Sequence, residues 1–420
     1  MELTTELIAK GGLSLLALVL VIWRHTRPGK LGREQAGQLL GVMAVAAALA
    51  YTNFGQFHGA SMVHHWEQFH YFLGSKYFPE TGYDGLYVAS MAAERELDIG
   101  HAPQSYMRDL RTNEVVPLIS MINHLKEVRG RFSEKRWREF KNDVHHFLEM
   151  NRYSYITKIR RDHGYNPTPT WTFTARLFSA WPRATETSLK ALAWLDPILL
   201  TVMFVMIFRT FGTRIGCLAV IIFGLGYQWR FDLVGGAFLR QDWLAAVGVA
   251  VCLLKRQRYG LAGGLIAYAT MVRVFPGGFL VGPAVVFARH FIEGRSTAWF
   301  RRLAVGFVVG VVLSLIAGSL TGAGPAAWSD FKWNLEKHHG TWLTNNVGLK
   351  NLMLYDGATM RRDDVDFRLP EPWLKWQQKM NNVQEQRRPM LLLAAAVFMA
   401  VVAGAAWRYE PHEAAVLGMV

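Results

Sequence analysis

His64-His65-Trp66-Glu67-Gln68-Phe69-His70-Tyr71 opens a polar stretch, residues 56 to 187, that lies between apolar segments. The stretch runs on through Lys76, Tyr77, Glu80, Tyr83, Asp84 and Tyr87. Acids, histidines, a lysine and aromatics thus crowd together soon after a segment apolar enough to enter a bilayer. Residence in a membrane does not require them. The stretch points to chemistry at a membrane surface, done by a protein that crosses the bilayer several times.

Of 420 residues, 51% are hydrophobic and 19% charged, the balance of a membrane protein with sizeable wet parts. A hydrocarbon core of ~30 Å takes ~20 apolar helical residues to cross. Such segments lie near residues 7–23, 36–52, 188–208, 215–229, 241–254, 260–272, 275–291, 303–321 and 390–407, with a tenth from 413 onward. The stretch ending Gly418-Met419-Val420 reads as the start of a helix, so the chain is expected to be a piece of a longer one. The first apolar segment is followed by Trp23-Arg24-His25-Thr26-Arg27 rather than by small residues, so no cleaved signal is expected. Cys217 and Cys252 both fall inside expected spans and imply neither a disulfide framework nor a thiolate metal cluster. The net charge of +14 is read as basic loops beside anionic headgroups, not as a nucleic-acid surface.

Cytoplasmic loops carry an excess of Lys and Arg. Arg24, Arg27, Lys30 and Arg33 follow the first expected span, and Arg209 and Arg214 the third. Lys255-Arg256-Gln257-Arg258 follows the fifth, and Arg289, Arg295, Arg301 and Arg302 the seventh. The span count puts all four loops on one side, the cytoplasmic one. Segments 56–187 and 323–389, with any site they build, are then expected outside.

Within 56–187, Val88 to Leu97 is rich in helix formers. Ser133 to Asn151 alternates basic and apolar positions at helical spacing, with Ser133 and Glu134 as a start signal. It is expected to lie in the membrane interface, the alternative being a solvated helix of a small extracytoplasmic domain. Pro167 and Pro169 break regular helix in Gly164-Tyr165-Asn166-Pro167-Thr168-Pro169-Thr170-Trp171. An amphipathic run from Trp171 to Trp181 follows.

Glu67 and Tyr71, spaced i, i+4, share a face if their segment is helical. A carboxylate in a partly dry site can serve as a general base; the plain alternative is a salt-bridged surface glutamate. His64, His65 and His70 lack the spacing of a helical zinc motif, as do the pairs His145-His146 and His338-His339, so hydrogen bonding or substrate contact is favoured over a metal. Asp84, between Gly82 and Gly85, is either a second acid or a turn residue. Arg273 closes an apolar helix in Met271-Val272-Arg273-Val274-Phe275-Pro276. A cation there either faces an anionic partner such as phosphate or snorkels to headgroups. Arg240-Gln241-Asp242 is either an interface anchor or a ligand contact.

Taken in order, these features resemble the GT-C fold glycosyltransferases, and most closely the polyprenyl-phosphate-mannose-dependent mannosyltransferases of glycosyltransferase family 87. The resemblance runs from about residue 60 to 407. It rests on Glu67-Gln68-Phe69-His70-Tyr71-Phe72-Leu73-Gly74-Ser75-Lys76-Tyr77, on Tyr165-Asn166-Pro167-Thr168-Pro169, on Arg240-Gln241-Asp242-Trp243, on Gly263-Gly264 through Arg273-Val274-Phe275-Pro276, and on Asn345-Asn346-Val347-Gly348-Leu349. The family's usual aspartate is a glutamate here, its lysine an arginine, and the first proline of its pair an asparagine.

The resemblance implies an all-α integral membrane protein, a GT-C-like multi-spanning helical bundle whose long extracytoplasmic loops carry short interfacial helices. Two N-terminal spans over 1–55 precede the loop 56–187. A bundle over 188–322, a second loop over 323–389 and C-terminal spans over 390–420 follow. The implied reaction moves a mannose-like hexose from a polyprenyl-phosphate donor to a lipid, glycan or protein acceptor by inverting single displacement. Glu67 is the expected base, with Asp84 next in line. Arg273, helped by Arg240 or Lys76, would hold the leaving phosphate. His64, His65, His70, Tyr71, Tyr77, Gln241, Asn345 and Asn346 would complete the substrate contacts, and Trp66 and Trp342 could stack on sugar. No cofactor is required, a divalent metal is compatible, and no nucleic acid is expected. The expected setting is a bacterial inner or plasma membrane with the site facing the periplasm or exterior. A flippase or transporter of a lipid-linked substrate, or a non-catalytic scaffold of the same fold, are the alternatives.

Overall fold

The computed structural model describes residues 3–26, 32–58, 61–99, 104–151, 153–226, 230–339, 342, 349–354, 364–366 and 368–417. Helices dominate them. The one sheet among them is two-stranded, Tyr106–Asp109 antiparallel to Glu114–Pro117, with Met107 opposite Val116. Among the described residues, five helical segments are long and apolar enough to cross a membrane: Thr5–Trp23, Glu186–Leu225, Phe275–Ile292, Ala298–Ser319 and Leu374–Ala406. This is the make-up of an all-α integral membrane protein.

Not every expected span stands among these five as a segment of its own. The expected spans near 188–208 and 215–229 correspond to the two arms of Leu195–Leu225, which part at Gly212 (φ 82°), with residues 227–229 outside the described ones. The run doubles back at Gly212, since the Phe204 and Phe223 rings meet at 5.6 Å. The expected spans at 241–254 and 260–272 are the 14-residue helices Asp242–Lys255 and Tyr259–Val272, about 21 Å long and short of a full crossing. Arg33–Tyr51 opens on Arg33, Glu34 and Gln35, which dilute its apolar character. The described part of the segment from 413 lies in the helix Pro411–Leu417. Leu374–Ala406 runs continuously through Pro389, so the last span begins inside what the sequence marks as a loop.

The chain divides into two compact units. The first comprises Met1–Tyr71, Thr185–Ser314 and Glu410–Met419, and the second Phe72–Ala184 and Leu315–Tyr409. Residues 56–71 thus side with the helical bundle rather than with the rest of the first polar stretch.

In the first unit, small residues let helices touch. Ala47 packs on Gly224, and Gly260 on Gly306, closely enough that an added Cβ would collide with backbone. These contacts fix directions. Tyr51 lies on Phe223, at 5.0 Å between rings, so the other end of Arg33–Tyr51 points toward the Gly212 turn. Thr210, beside that turn, lies close to Cys252 near the end of Asp242–Lys255. Tyr259 packs on Trp299, 5.8 Å away. The helix termini flanking all four basic loops therefore gather at one end of this unit.

In the second unit, Glu134–Met150 starts at Ser133, whose hydroxyl accepts the Arg136 N–H, as capping residues do. It buries Trp137, Phe140, Val144, Phe147 and Leu148 against protein, with Leu86–Leu97 as a neighbour. Its apolar face is used up in a domain core, which favours the solvated-domain alternative over the expected interfacial helix. Thr168 caps Pro169–Ser179 with Pro169 at the first turn, where a proline loses nothing.

Lys76 and Tyr77 are core residues here. The Lys76 ammonium sits 2.7 Å from Asp143 Oδ2 and donates to the Pro182 carbonyl; the Tyr77 hydroxyl donates to the same carboxylate at 2.7 Å. Asp143 also accepts the Ala184 N–H. Removing one member of a buried pair strands the other charge, at about 3–5 kcal/mol. Asp143→Ala is expected to lower the unfolding temperature sharply, with partial recovery in Lys76→Met/Asp143→Leu.

Candidate functional site

The first unit builds its polar centre from two segments. One is His65–Gln68, which His64 caps by accepting the Glu67 N–H on Nδ1 at 3.2 Å. It widens into a π turn over Phe69–Leu73, a distortion common at functional sites. The other is the turn before Asp242–Lys255. Gly236 (φ 72°) lies so close to the Met62 carbonyl that a Cβ would sit 1.9 Å from it. Its own carbonyl accepts the His64 N–H at 2.9 Å. Leu239 is held at φ 52°, a strained conformation for a branched side chain.

Asp196 holds that turn. Its two oxygens accept the N–H groups of Arg240 (2.9 Å) and Gln241 (3.0 Å), and it is 2% exposed. The sequence did carry a signal for it: an acid inside an apolar segment marks a functional or positioning role, and Leu195-Asp196-Pro197 passed unremarked.

Arg240 then faces Glu67 and Tyr71. Its Nε lies 3.1 Å from Glu67 Oε2, its Nη1 donates to the Tyr71 hydroxyl, and its guanidinium stacks 4.7 Å from the Tyr71 ring centre. The approach to Glu67 lacks hydrogen-bond alignment, so the contact at Oε2, an oxygen that little solvent reaches, is an ion pair rather than a hydrogen bond. Burial alone would lower the Arg240 pKa; Glu67, Tyr71, Asp196 and Asp242 outweigh it and hold the guanidinium charged. Asp242 accepts the Tyr268 hydroxyl at 2.8 Å and feels the charge of Arg273. Arg240 precedes Asp242–Lys255 and Arg273 follows Tyr259–Val272, so both lie at the end of the unit opposite the basic loops.

Of the residues expected in the site, Glu67, Tyr71, Arg240 and Gln241 come together, and Arg273 is near them through Asp242. His64 positions Glu67 from the backbone side. His70 is buried, with Nδ1 2.9 Å from the Trp66 carbonyl, a local use within its own helix. His65 is partly buried on the same turn. Asp84 belongs to the second unit, beside His124 (3.6 Å) and Arg131 (3.4 Å). Trp342, expected to stack on sugar, is packed against Leu354, Trp376 and Met380. Asn345 and Asn346 lie outside the described residues. Among the described residues no group of three or more His, Cys, Asp or Glu side chains is arranged to hold a metal.

No family model, curated protein or solved structure matches the chain. The chemistry of the cluster must therefore be argued from its own atoms. A carboxylate oxygen with unused lone pairs can accept a proton from a hydroxyl, and a fixed guanidinium beside it can receive an anion.

His64 titrates as part of this arrangement. Burial pushes its pKa down to about 4, with His58 and Arg240 adding to the shift and Glu67 opposing it. The ring is neutral at pH 7, as its acceptor role at Nδ1 requires. The folded state then binds a proton less readily than the unfolded chain, whose histidine titrates near 6.5. Stability is full above pH 6.5 and falls as pH drops toward 4, by about 3 kcal/mol at most. His64→Asn keeps a capping oxygen and removes the titration. Thermal unfolding of the variant is expected to lose most of the wild type's extra sensitivity between pH 6.5 and 4.5.

Proposed function

We propose that the protein is an integral membrane glycosyltransferase of the GT-C type. It moves a mannose-like hexose from a polyprenyl-phosphate donor to an extracytoplasmic lipid, glycan or protein acceptor by inverting single displacement. The observation that carries this reading is the pairing of the Glu67 carboxylate with the Arg240 guanidinium, from distant parts of the sequence, at 3.1 Å. It joins a carboxylate able to act as a base to a cation suited to phosphate. The cluster also lies at the end of its unit away from the basic loops, which under the positive-inside rule faces the exterior or periplasm.

The acceptor hydroxyl donates to the Glu67 carboxylate. As its oxygen attacks the anomeric carbon, the proton passes to Glu67 and the bond from that carbon to the phosphate oxygen breaks with inversion. The polyprenyl phosphate departs as an anion beside Arg240 and Arg273. Fixed cations placed where charge develops are worth more than solvent. Because phosphate leaves readily, no general acid is needed.

The test supplies reconstituted protein with labelled polyprenyl-phosphate hexoses, nucleotide sugars as controls, and membrane extract as acceptor. Transfer from a lipid-linked hexose and not from nucleotide sugars is expected. A folded protein that transfers from no donor would overturn the reading. Passage of the lipid-linked sugar across sealed vesicles without transfer would instead identify a flippase.

A further inference from the structure

The first unit contains an apolar groove that the proposed reaction does not use. It encloses about 500 Å³ and is lined by both arms of Leu195–Leu225, by Asp242–Lys255 and by Pro411–Leu417. Phe211, Ile215, Val251 and His412 surround one end, and Met203 and Leu244 the other. Ile222, on its wall, is 68% exposed, so the groove opens sideways on a face that an integral membrane protein turns to lipid. From Met203 to Phe211 the groove follows eight helical steps, about 12 Å. That is close to the ~15 Å depth of a single leaflet.

The rim at the Phe211 end is cationic. Arg209 and Arg214 flank the Gly212 turn, and Lys255 acts electrostatically on His412. Arg256 and Arg258 follow Lys255 in the chain, and all five are solvent-exposed. Glu410 and Glu413 are the acids at this end, so cations prevail.

We propose that this groove is a binding site for an anionic phospholipid of the leaflet at the basic end. One acyl chain lies in the groove and the phosphate headgroup rests among Arg209, Arg214 and Lys255. The leaflet-deep length fits an acyl chain better than a long prenyl chain, and the charge of the rim selects an acidic headgroup. The headgroup rim lies at the other end of the helices from Glu67 and Arg240, and the site does not depend on the reaction assigned to them.

The probes are vesicles and detergent micelles doped with phosphatidylglycerol, phosphatidylcholine or polyprenyl phosphate, with retained lipid counted by native mass spectrometry. Wild-type protein is expected to retain one phosphatidylglycerol in preference to phosphatidylcholine. Surface cations contribute enough that Arg214→Gln/Lys255→Gln should cut that preference by roughly 30-fold. Ala219→Trp, which fills the groove, should abolish retention of either phospholipid. If Ala219→Trp does not fold, Ile222→Trp at the open edge replaces it. Equal retention of the two phospholipids, retention unchanged in the variants, or preferential capture of polyprenyl phosphate would each overturn the proposal.

Discussion

Glu67→Gln is expected to slow sugar transfer by about 10²–10⁴-fold, the usual contribution of a positioned general base. The loss should fall on kcat, because glutamine fills the same space and can still hydrogen-bond a bound hydroxyl while being unable to take its proton. The fold should survive. The cap from His64 Nδ1 reaches the backbone N–H of residue 67, not its side chain. The Glu67 side chain is 18% exposed, so water at its open side can compensate part of what Arg240 loses. Initial rates over a range of acceptor concentrations, with thermal unfolding as the control for folding, check this. Transfer equal to wild type would remove Glu67 as base and make Asp84, in the second unit, the next residue to replace.

Much of the fold is legible from hydropathy, because an apolar run long enough to cross a bilayer has few other uses. The errors fall where length and sequence pattern diverge. Asp242–Lys255 and Tyr259–Val272 read as spans by hydropathy, yet each is only 14 residues long. The helix at Leu374–Ala406 passes through Pro389, a residue that as a sequence signal argues for a boundary. Glu134–Met150 is amphipathic whether membrane or protein covers it, so periodicity alone could not choose between them.

The site divides in the same way. Glu67, Tyr71, Arg240 and Arg273 stand out because charged and aromatic groups at the ends of apolar helices are costly without a partner. Lys76 and Tyr77 look the same in sequence, yet they serve a buried cluster around Asp143, which lies far along the chain. Asp196 was missed because its role is to hold two backbone N–H groups of the Arg240 turn, and such a role has no motif.

Arg240→Gln is expected to reduce transfer by about 10²–10³-fold, comparable to loss of one preorganised charge-stabilising donor. It should also destabilise the first unit. Glu67 would lose its compensating cation, and Tyr71 the donor on its hydroxyl. Because both charged side chains keep 18–19% exposure, solvent screening holds the expected cost to about 1 kcal/mol. Arg240→Lys restores the charge without the planar fork that bonds Tyr71 and faces Glu67 at once, so it should recover stability better than rate. The decisive comparison is Glu67→Gln/Arg240→Gln. If Arg240 is merely structural, matching the neutral pair should restore stability and leave only the rate defect of Glu67→Gln. If it also holds the departing phosphate, stability should return while the rate falls below that of either single variant, since proton acceptance and phosphate stabilisation are then both absent. A double variant no slower than Glu67→Gln alone would confine Arg240 to charge compensation and move the phosphate contact to Arg273.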